Sequence, residues 1–159
     1  MAFDATLKFG HECKTYINEN THASPTWNEL NIAKDVTLNM TQNESDITSR
    51  AGKGYVQTAG TLIDASIDFA ITWDPSDIAD FSQLQDAFLN RKPVEILILD
   101  GDVGTAGNEG LRAFFVVTNF TRNEAIAEVV SAEITLKLTK NPREGGSEIT
   151  DVPAWTVTS

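Results

Sequence analysis

The residue types best able to bind a soft metal ion lie close together near the start of the chain: His11, Cys13 and His22. A structural zinc site normally closes with four ligands at recurrent spacings such as C-x2-C, and these three residues provide no such pair. Cys13 is the only cysteine, so folding cannot depend on an intrachain disulfide. We therefore predict no metal site and interpret these residues as packing or surface positions.

Two other segments have the composition of ligand-binding loops. Residues 100–110 are rich in Asp and Gly, but Gly104 stands where the third ligand of an EF-hand belongs, and no helix precedes the segment. The Gly52-Lys53-Gly54 stretch lacks the G-x-x-x-x-G-K-[ST] pattern that cradles phosphates. Both are expected to be turns or polar loops, and the sequence predicts no cofactor.

Paired carboxylates are the remaining route to catalysis. Asp64 and Asp68 lie four residues apart on one face of a predicted strand, which separates them by about 13 Å at about 3.3 Å per residue. This exceeds the separation in a glycosidase pair, and the chain has no nucleophile elbow. The sequence thus predicts no catalytic residues and a protein that is not an enzyme.

The charge balance limits the classes of partner that the protein is expected to bind. The 159 residues include 12 basic and 23 acidic ones, for a formal charge of −11. Tight nucleic-acid binding depends on Lys and Arg that neutralise phosphates, so this balance argues against a protein that grips DNA, although not against a surface past which DNA slides. No apolar run approaches the roughly 20 residues of a membrane helix, and no signal peptide is expected, which predicts synthesis in the cytosol and no membrane partner.

The elements that would carry these residues are mainly strands. Residues 61–73 and 128–139 alternate apolar and polar side chains, which indicates half-buried strands of an antiparallel sheet with one wet face. Residues 93–99 and 111–121 are apolar on both faces, so we expect them at the centre of the sheet. Weaker patterns predict earlier strands, at residues 13–17, 27–31 and 36–40.

One helix is predicted between these strands, at about residues 75–90. Asp74 would be its N-cap, Pro75 its first residue, and Ile78, Phe81, Leu84 and Phe88 its apolar face. Residues 41–54, 100–110 and 141–151 are polar and without periodicity. We predict a mainly β fold, an antiparallel β-sandwich or barrel with one flanking helix, as a domain of residues 1–140 with a long loop at 41–54, followed by a C-terminal arm at 141–159.

The order of these features resembles the major tail tube protein of long-tailed (siphovirus-type) bacteriophages. The resemblance covers residues 37–139. It rests on the loop with Ser49-Arg50 and Gly52-Lys53-Gly54-Tyr55, the strand ending at Trp73, the Asp74-Pro75 helix start, and the hairpin from Val117-Thr-Asn-Phe120 to Val129-Val-Ser-Ala-Glu133. It implies a structural subunit in the virion tail, assembled in the host cytoplasm into stacked hexameric rings that form a hollow conduit for DNA ejection.

The resemblance also implies roles for particular surfaces. Wet strand faces would line the lumen, where passing double-stranded DNA is not bound sequence-specifically, and the sequence leaves open which of two faces does so. The lumen candidates are Asp64, Ser66 and Asp68 on one strand and Ser131, Glu133, Thr135 and Lys137 on the other. The assembly candidates are Ser49, Arg50, Lys53, Tyr55, Trp155 and Val157. Further implied partners are tape-measure, baseplate and tail-terminator proteins.

The sequence leaves open two alternatives to a phage tail tube subunit. The inner tube of a contractile injection system or phage-like bacteriocin would have the same fold. A monomeric β-sandwich ligand-binding module, such as a carbohydrate-binding domain, would need exposed aromatic side chains on one face. Trp27, Trp73 and Trp155 are scattered along the chain instead, and Trp73 belongs to the apolar face of its strand.

Overall fold

The structure is a computed structural model that describes residues 7–76 and 78–159. Residues 1–6, at the start of the predicted domain, and residue 77 and the side chain of Ile78, in the predicted helix, lie outside that description. The strands are β1 Lys14–Asn18, β2 Trp27–Glu29, β3 Ala33–Asp46, β4 Thr58–Thr72, β5 Val94–Leu99, β6 Glu109–Asn123, β7 Ser131–Leu138, β8 Arg143–Glu144, β9 Ser147–Glu148 and β10 Ala154–Val157, and the helix α1 is Ile78–Leu89.

Eight of the strands form one antiparallel sheet in the order β2-β1-β5-β6-β7-β4-β3, to which β10 adds beside β6, and β8 and β9 form a separate two-stranded sheet. The mainly β prediction is confirmed, and so is the central place of β5 and β6. The two edge strands β2 and β3 are consecutive in the chain and separated only by residues 30–32, a connection that spans at most about 14 Å. The sheet therefore curls until its two edges approach each other at that connection.

The concave face of the sheet holds the main core. Ile17, Ile67, Ile96, Phe115 and Leu136 are each essentially buried there, and they come from five different strands. The helix covers this face with Leu84 and Ala87, while Phe81 and Phe88 contact Phe120 of β6. In the part of the chain that the structure describes, no helix is both long and apolar enough to cross a membrane.

The helix begins at Ile78, so its predicted start at Pro75 was wrong. Asp74 instead closes a turn: its Oδ1 accepts hydrogen bonds from the backbone N–H of Ser76 at 2.9 Å and from the Ser76 hydroxyl at 2.6 Å. These bonds hold the pKa of Asp74 below its ordinary value. Because the Asp74 carboxylate accepts its hydrogen bonds from the residue two positions ahead, it stabilises a turn and does not cap the helix. Asp74-Pro75 therefore precedes the helix without starting it.

The predicted loop at residues 41–54 was wrong over its first part. Residues 41–46 continue β3, which pairs with β4 as far as Asp46 opposite Thr58, so the loop is confined to residues 47–57. Backbone pairing stabilises this ribbon although its side chains are polar or exposed on both faces, and such a strand leaves no period-two signal in the sequence. Similarly, residues 143–148 form the β8–β9 hairpin within the stretch 141–151, whose sequence is polar and without periodicity.

Gly110 supports a prediction about the close contact of β5 and β6. A methyl group at this position would lie 1.5 Å from the carbonyl oxygen of Ile98, a backbone atom that cannot move aside without breaking the ladder. We expect Gly110→Ala to lower the free energy of unfolding by about 3 kcal/mol in urea titrations. The control is Gly10→Ala, where no atom lies within 4 Å of the added methyl. Equal stability of the two variants would contradict this packing.

Candidate interaction surfaces

The two polar strand faces predicted separately are parts of one surface. In the β4–β7 ladder Ser66 lies opposite Lys137 and Asp68 opposite Thr135, and directly opposed residues project to the same side of a sheet. The Thr135 hydroxyl donates a hydrogen bond of 2.8 Å to Asp68 Oδ1. Because β4 and β7 are neighbours and their polar sides face the same way, the two candidate lumen faces form a single surface.

The two flanking strands widen this surface. Thr37, Asn39 and Thr41 of β3 lie opposite Asp68, Ser66 and Asp64 of β4. Beyond a bulge after Val117, residues of β6 lie opposite Thr135, Glu133 and Ser131. We call the resulting four-stranded surface the polar face; it consists of Lys34, Thr37, Asn39, Thr41, Asp64, Ser66, Asp68, Ala70, Thr72, Val116, Asn119, Thr121, Asn123, Ser131, Glu133, Thr135 and Lys137. The sequence prediction missed the contributions of β3 and β6.

The polar face is close to electrically neutral. Its acidic members are Asp64, Asp68 and Glu133, and its basic members are Lys34 and Lys137, which leaves a formal charge of −1 out of −11 for the chain. Ten acidic residues occur in residues 61–110, but only two of them lie on this surface. Most of the negative charge of the chain therefore lies outside the polar face.

The β3–β4 hairpin reaches beyond the core. From residue 39 to residue 64, which we call the hairpin extension, no residue is buried. Large apolar side chains are nevertheless exposed there, among them Tyr55 at 75%, Val56 at 81% and Leu62 at 73%. A two-stranded ribbon with no core of its own is only marginally stable in water. The extension therefore has apolar surface that nothing in its own subunit covers.

The tip of the hairpin extension holds the first group of predicted assembly residues. Ser49, Arg50, Lys53 and Tyr55 all lie in the loop 47–57 and are exposed. The loop is closed at its base by a 3.0 Å hydrogen bond from the Ile47 N–H to the Gln57 carbonyl. The structure thus brings these four residues together at one end of the molecule, on a support that has its own backbone hydrogen bonds.

The second pair of predicted assembly residues, Trp155 and Val157, lies on β10. This strand is paired with the sheet and is not a free arm in solvent. Trp155 and Val157 are 57% and 62% exposed on a strand that pairs with residues 109–112 of β6. Trp155 also borders an open groove of about 740 Å³ whose lining includes Val36 and Leu38 of β3. The division between a domain of residues 1–140 and an arm of 141–159 stays a prediction.

Several strand edges have no ladder partner among the described residues. β5 pairs with β6 only up to Phe115, so the edge of β6 at residues 116–123 that faces away from β7 is open. β7 pairs with β4 no further than Ser66, so one edge of residues 58–65 is open as well. The outer edge of β3 is open along its length. Unpaired N–H and C=O groups of this kind are ready to pair with another chain.

The residues first considered for chemistry do not converge. Within residues 7–76 and 78–159 no group of three or more His, Cys, Asp or Glu side chains is placed to hold a metal ion. His11 stacks on Phe9, whereas His22 contacts Glu95 and Asp151. The network around His22 was not predicted, because its partners are 73 and 129 residues away in the chain.

No family model matches the sequence, and no curated protein matches it either. Solved structures do match the fold. The tail of an empty gene transfer agent particle, determined with C6 symmetry, aligns with 96% of this chain and 100% of its own at a TM-score of 0.67 and 15% identity. The SPP1 tail tube aligns with 82% and 74% at 0.62 and 14% identity. A chain of the anti-feeding prophage baseplate aligns with 86% and 94% at 0.62 and 10% identity.

Amide hydrogen exchange of the unassembled chain tests the division of β4 into a supported and an unsupported part. We expect residues 58–64, in the hairpin extension, to exchange at least about tenfold faster than residues 65–72, because local opening is easiest where few apolar contacts hold the backbone. The two halves of one strand are matched in secondary structure, so each controls for the other. Uniform protection along β4 would show that the extension is not a separate, weakly held unit.

Proposed function

We propose that this chain, which has the fold of phage tail tube proteins, is a structural subunit of a tail tube, built as stacked hexameric rings around a conduit for DNA. The observation that carries the proposal is the match of 96% of the chain to a tail subunit in a C6-symmetric particle. The open strand edges and the uncovered hairpin extension support it independently, because both are surfaces that a monomer would have to protect.

The polar face is the proposed lumen. Four strands from each of six copies, spaced about 4.8 Å apart, would give a circumference of about 115 Å and a backbone diameter of about 37 Å. Such a bore leaves room for a DNA duplex after side chains are added. Short polar groups with almost no net charge release few counterions from DNA, so the duplex would pass without being held. In this role all seven lumen candidates, which come from β4 and β7, would line the conduit together.

Neighbouring subunits in a ring would pair through their open edges. The outer edge of β3 and the free edge of residues 116–123 in β6 lie on opposite sides of the four-stranded surface. Strand directions alternate across β6, β7, β4 and β3, so β3 of one copy would meet β6 of the next in antiparallel orientation. This is a heterologous contact, which closes into a ring when the rotation between copies is sixty degrees.

The hairpin extension is the proposed contact between rings, with Ser49, Arg50, Lys53 and Tyr55 at its tip and with Trp155 and Val157 as further assembly residues. Its exposed apolar side chains would be covered by the adjacent copy. In a virion tail the tube would end on baseplate and tail-terminator proteins and enclose a tape-measure protein. We further propose that the tube assembles in the host cytoplasm, and we assign the chain no catalytic role.

The inner tube of a contractile injection system is the second candidate. It is favoured by the likeness to a chain of the anti-feeding prophage baseplate. The two candidates differ in the presence of a contractile sheath around the tube. Co-expression with the sheath gene, where the genome encodes one beside this chain, followed by electron microscopy would separate them, because only the second predicts tubes decorated by sheath subunits.

Negative-stain microscopy of the purified chain at increasing concentration tests the proposal itself. We expect rings or hollow tubes above a threshold concentration. A monomer at every concentration, with or without added baseplate protein, would contradict the tube and would favour the alternative of a monomeric ligand-binding module.

Tyr55→Asp tests the hairpin tip. A charge buried at a subunit contact without a partner is costly, so we expect the threshold concentration for tubes to rise at least about tenfold. Folding should be unaffected, since Tyr55 is exposed in the subunit. The matched control is Leu89→Asp, at an apolar residue of similar exposure, 68%, on the helix behind the opposite face of the sheet. Tubes that form equally well from both variants would remove the tip from the interface.

Cysteine labelling tests the lumen. In a Cys13→Ser background, which has no other cysteine, Glu133→Cys lies on the polar face and Gln85→Cys on the exposed surface of the helix. In assembled tubes we expect a small maleimide to label both. A maleimide on a long polyethylene glycol chain should label Gln85→Cys at least about tenfold faster, because a flexible polymer loses conformational entropy when it enters a narrow bore. Equal labelling by the polymer would place the polar face outside.

A further inference from the structure

The turn between β6 and β7, residues 124–130, exposes apolar side chains to solvent. Five of its seven residues are Ala, Ile or Val. Ile126 is fully exposed, and Val129 is 69% exposed. Turns on the surface of a monomer are mostly polar, whereas neighbouring large apolar side chains that face solvent indicate a surface that a partner covers.

The β6–β7 turn is preformed and attached to the rest of the subunit. The Glu128 N–H donates a hydrogen bond of 3.1 Å to the Ala125 carbonyl, and the Trp73 N–H donates one of 2.9 Å to the Val130 carbonyl. Trp73 in turn lies edge-on against Phe81 of the helix, with ring centroids 4.1 Å apart. A surface that is already ordered loses little entropy when it binds a partner.

The register of the sheet places this turn far from the tip loop, which we define as residues 47–57. Asp46 lies opposite Thr58 at one end of β4, and Ser131 lies opposite Thr72 at the other end. The 15 residues of β4 span about 46 Å at about 3.3 Å per residue. The tip loop and the turn of one copy therefore cannot meet, but they face each other when two copies stack along the direction of these strands.

The two loops carry opposite charges. The tip loop contains Arg50 and Lys53 and no acidic residue, and the β6–β7 turn contains Glu124 and Glu128 and no basic residue. Glu124 also pairs with Arg122 at 2.7 Å, but both side chains are about half exposed, so solvent weakens that pair. Head-to-tail stacking brings opposite charges together, whereas head-to-head or tail-to-tail stacking brings like charges together.

The two loops also match in their apolar surface. Tyr55 and Val56 of the tip loop are largely exposed, as are Ile126 and Val129 of the turn. Apolar side chains at the centre of a contact, with charged groups around them, are the usual composition of a protein interface. Each loop thus provides the apolar surface and the charge that the other lacks a partner for in its own subunit.

We propose that the β6–β7 turn is the docking site for the tip loop of a second copy of this chain, so that rings stack head to tail. This inference rests on the tube proposed above and adds the surface that receives the hairpin extension. The two docking surfaces differ, so the contact is heterologous and repeats from ring to ring without closing.

Charge reversal tests the contact during tube assembly. Arg50→Glu combined with Lys53→Glu should raise the threshold concentration for tubes at least about tenfold, because like charges then face each other across the contact. Adding Glu124→Lys and Glu128→Lys to the same chain should restore the wild-type threshold. All four residues are exposed, so the variants should fold normally, which circular dichroism checks.

The matched control reverses two other acidic residues. Glu19→Lys and Glu148→Lys, at exposed positions after β1 and in β9, are added to the tip-loop reversal instead. Both fourfold variants have the formal charge of the wild type, −11, so net charge does not distinguish them. Only the variant with the reversed turn should assemble like the wild type.

Disulfide cross-linking locates the contact directly. Chains with Val56→Cys and chains with Ile126→Cys, both in a Cys13→Ser background, are mixed, assembled and oxidised. We expect at least about tenfold more linked pairs than when Gln85→Cys replaces Ile126→Cys, because a disulfide forms only where two Cα atoms approach within about 7 Å. A third mixture pairs Val56→Cys with the wild type, whose Cys13 lines the groove beside Trp155.

The outcomes separate this contact from the tube itself. Linked pairs at Ile126→Cys and rescue by the reversed turn alone would support the contact. Wild-type tubes without that cross-link, a cross-link to Cys13 in its place, or equal rescue by both fourfold variants would overturn the contact and leave the tube standing. A wild-type chain that forms no tubes, with or without added baseplate protein, would overturn both.

Discussion

The antiparallel ladder between β4 and β7 is the contact on which the rest of the structure depends. It places Ile67, Phe69 and Ile71 beside Leu136, Ile134 and Ala132 in the core, and by the same register it places the polar side chains of both strands on the other side. A slip of one residue would exchange the two sides completely. The core and the polar face are thus fixed by one pairing, and neither can form without the other.

The sheet is larger than the core that it covers. Where the helix and the neighbouring strands end, β3 and β4 continue as a ribbon whose edges and apolar side chains face solvent. Isolated, this arrangement costs stability and invites pairing with other chains. In the proposed ring of identical copies the same features would become contacts, because each open edge would meet the next subunit. The polar surface and the open edges are therefore compatible with that proposal.

The opposite end of the chain is attached by a different physical principle. The main core holds β4 and β7 by burial, whereas the C-terminal segment, residues 141–159, is held by a small apolar cluster in which Ile149 and Val152 pack on Phe114. The ladder of β10 with β6 and the hydrogen bonds of Thr158 to Asn108 and of His22 to Asp151 complete its attachment. The molecule thus combines a sheet with a large core and one segment that is attached mainly by ladder and side-chain hydrogen bonds.

The sequence by itself determined the fold class, the central strands, the helix and the polar character of β4 and β7, because period-two and helical patterns are local and are strong wherever one side is buried. It did not reveal residues 41–46 as strand, since a ribbon that is exposed on both faces has no such pattern. Only the tertiary structure showed that the two wet faces are one surface and that His22 meets Glu95 and Asp151. Those relations join residues that are distant in the chain, and they follow from strand order and register, which side-chain alternation alone does not specify.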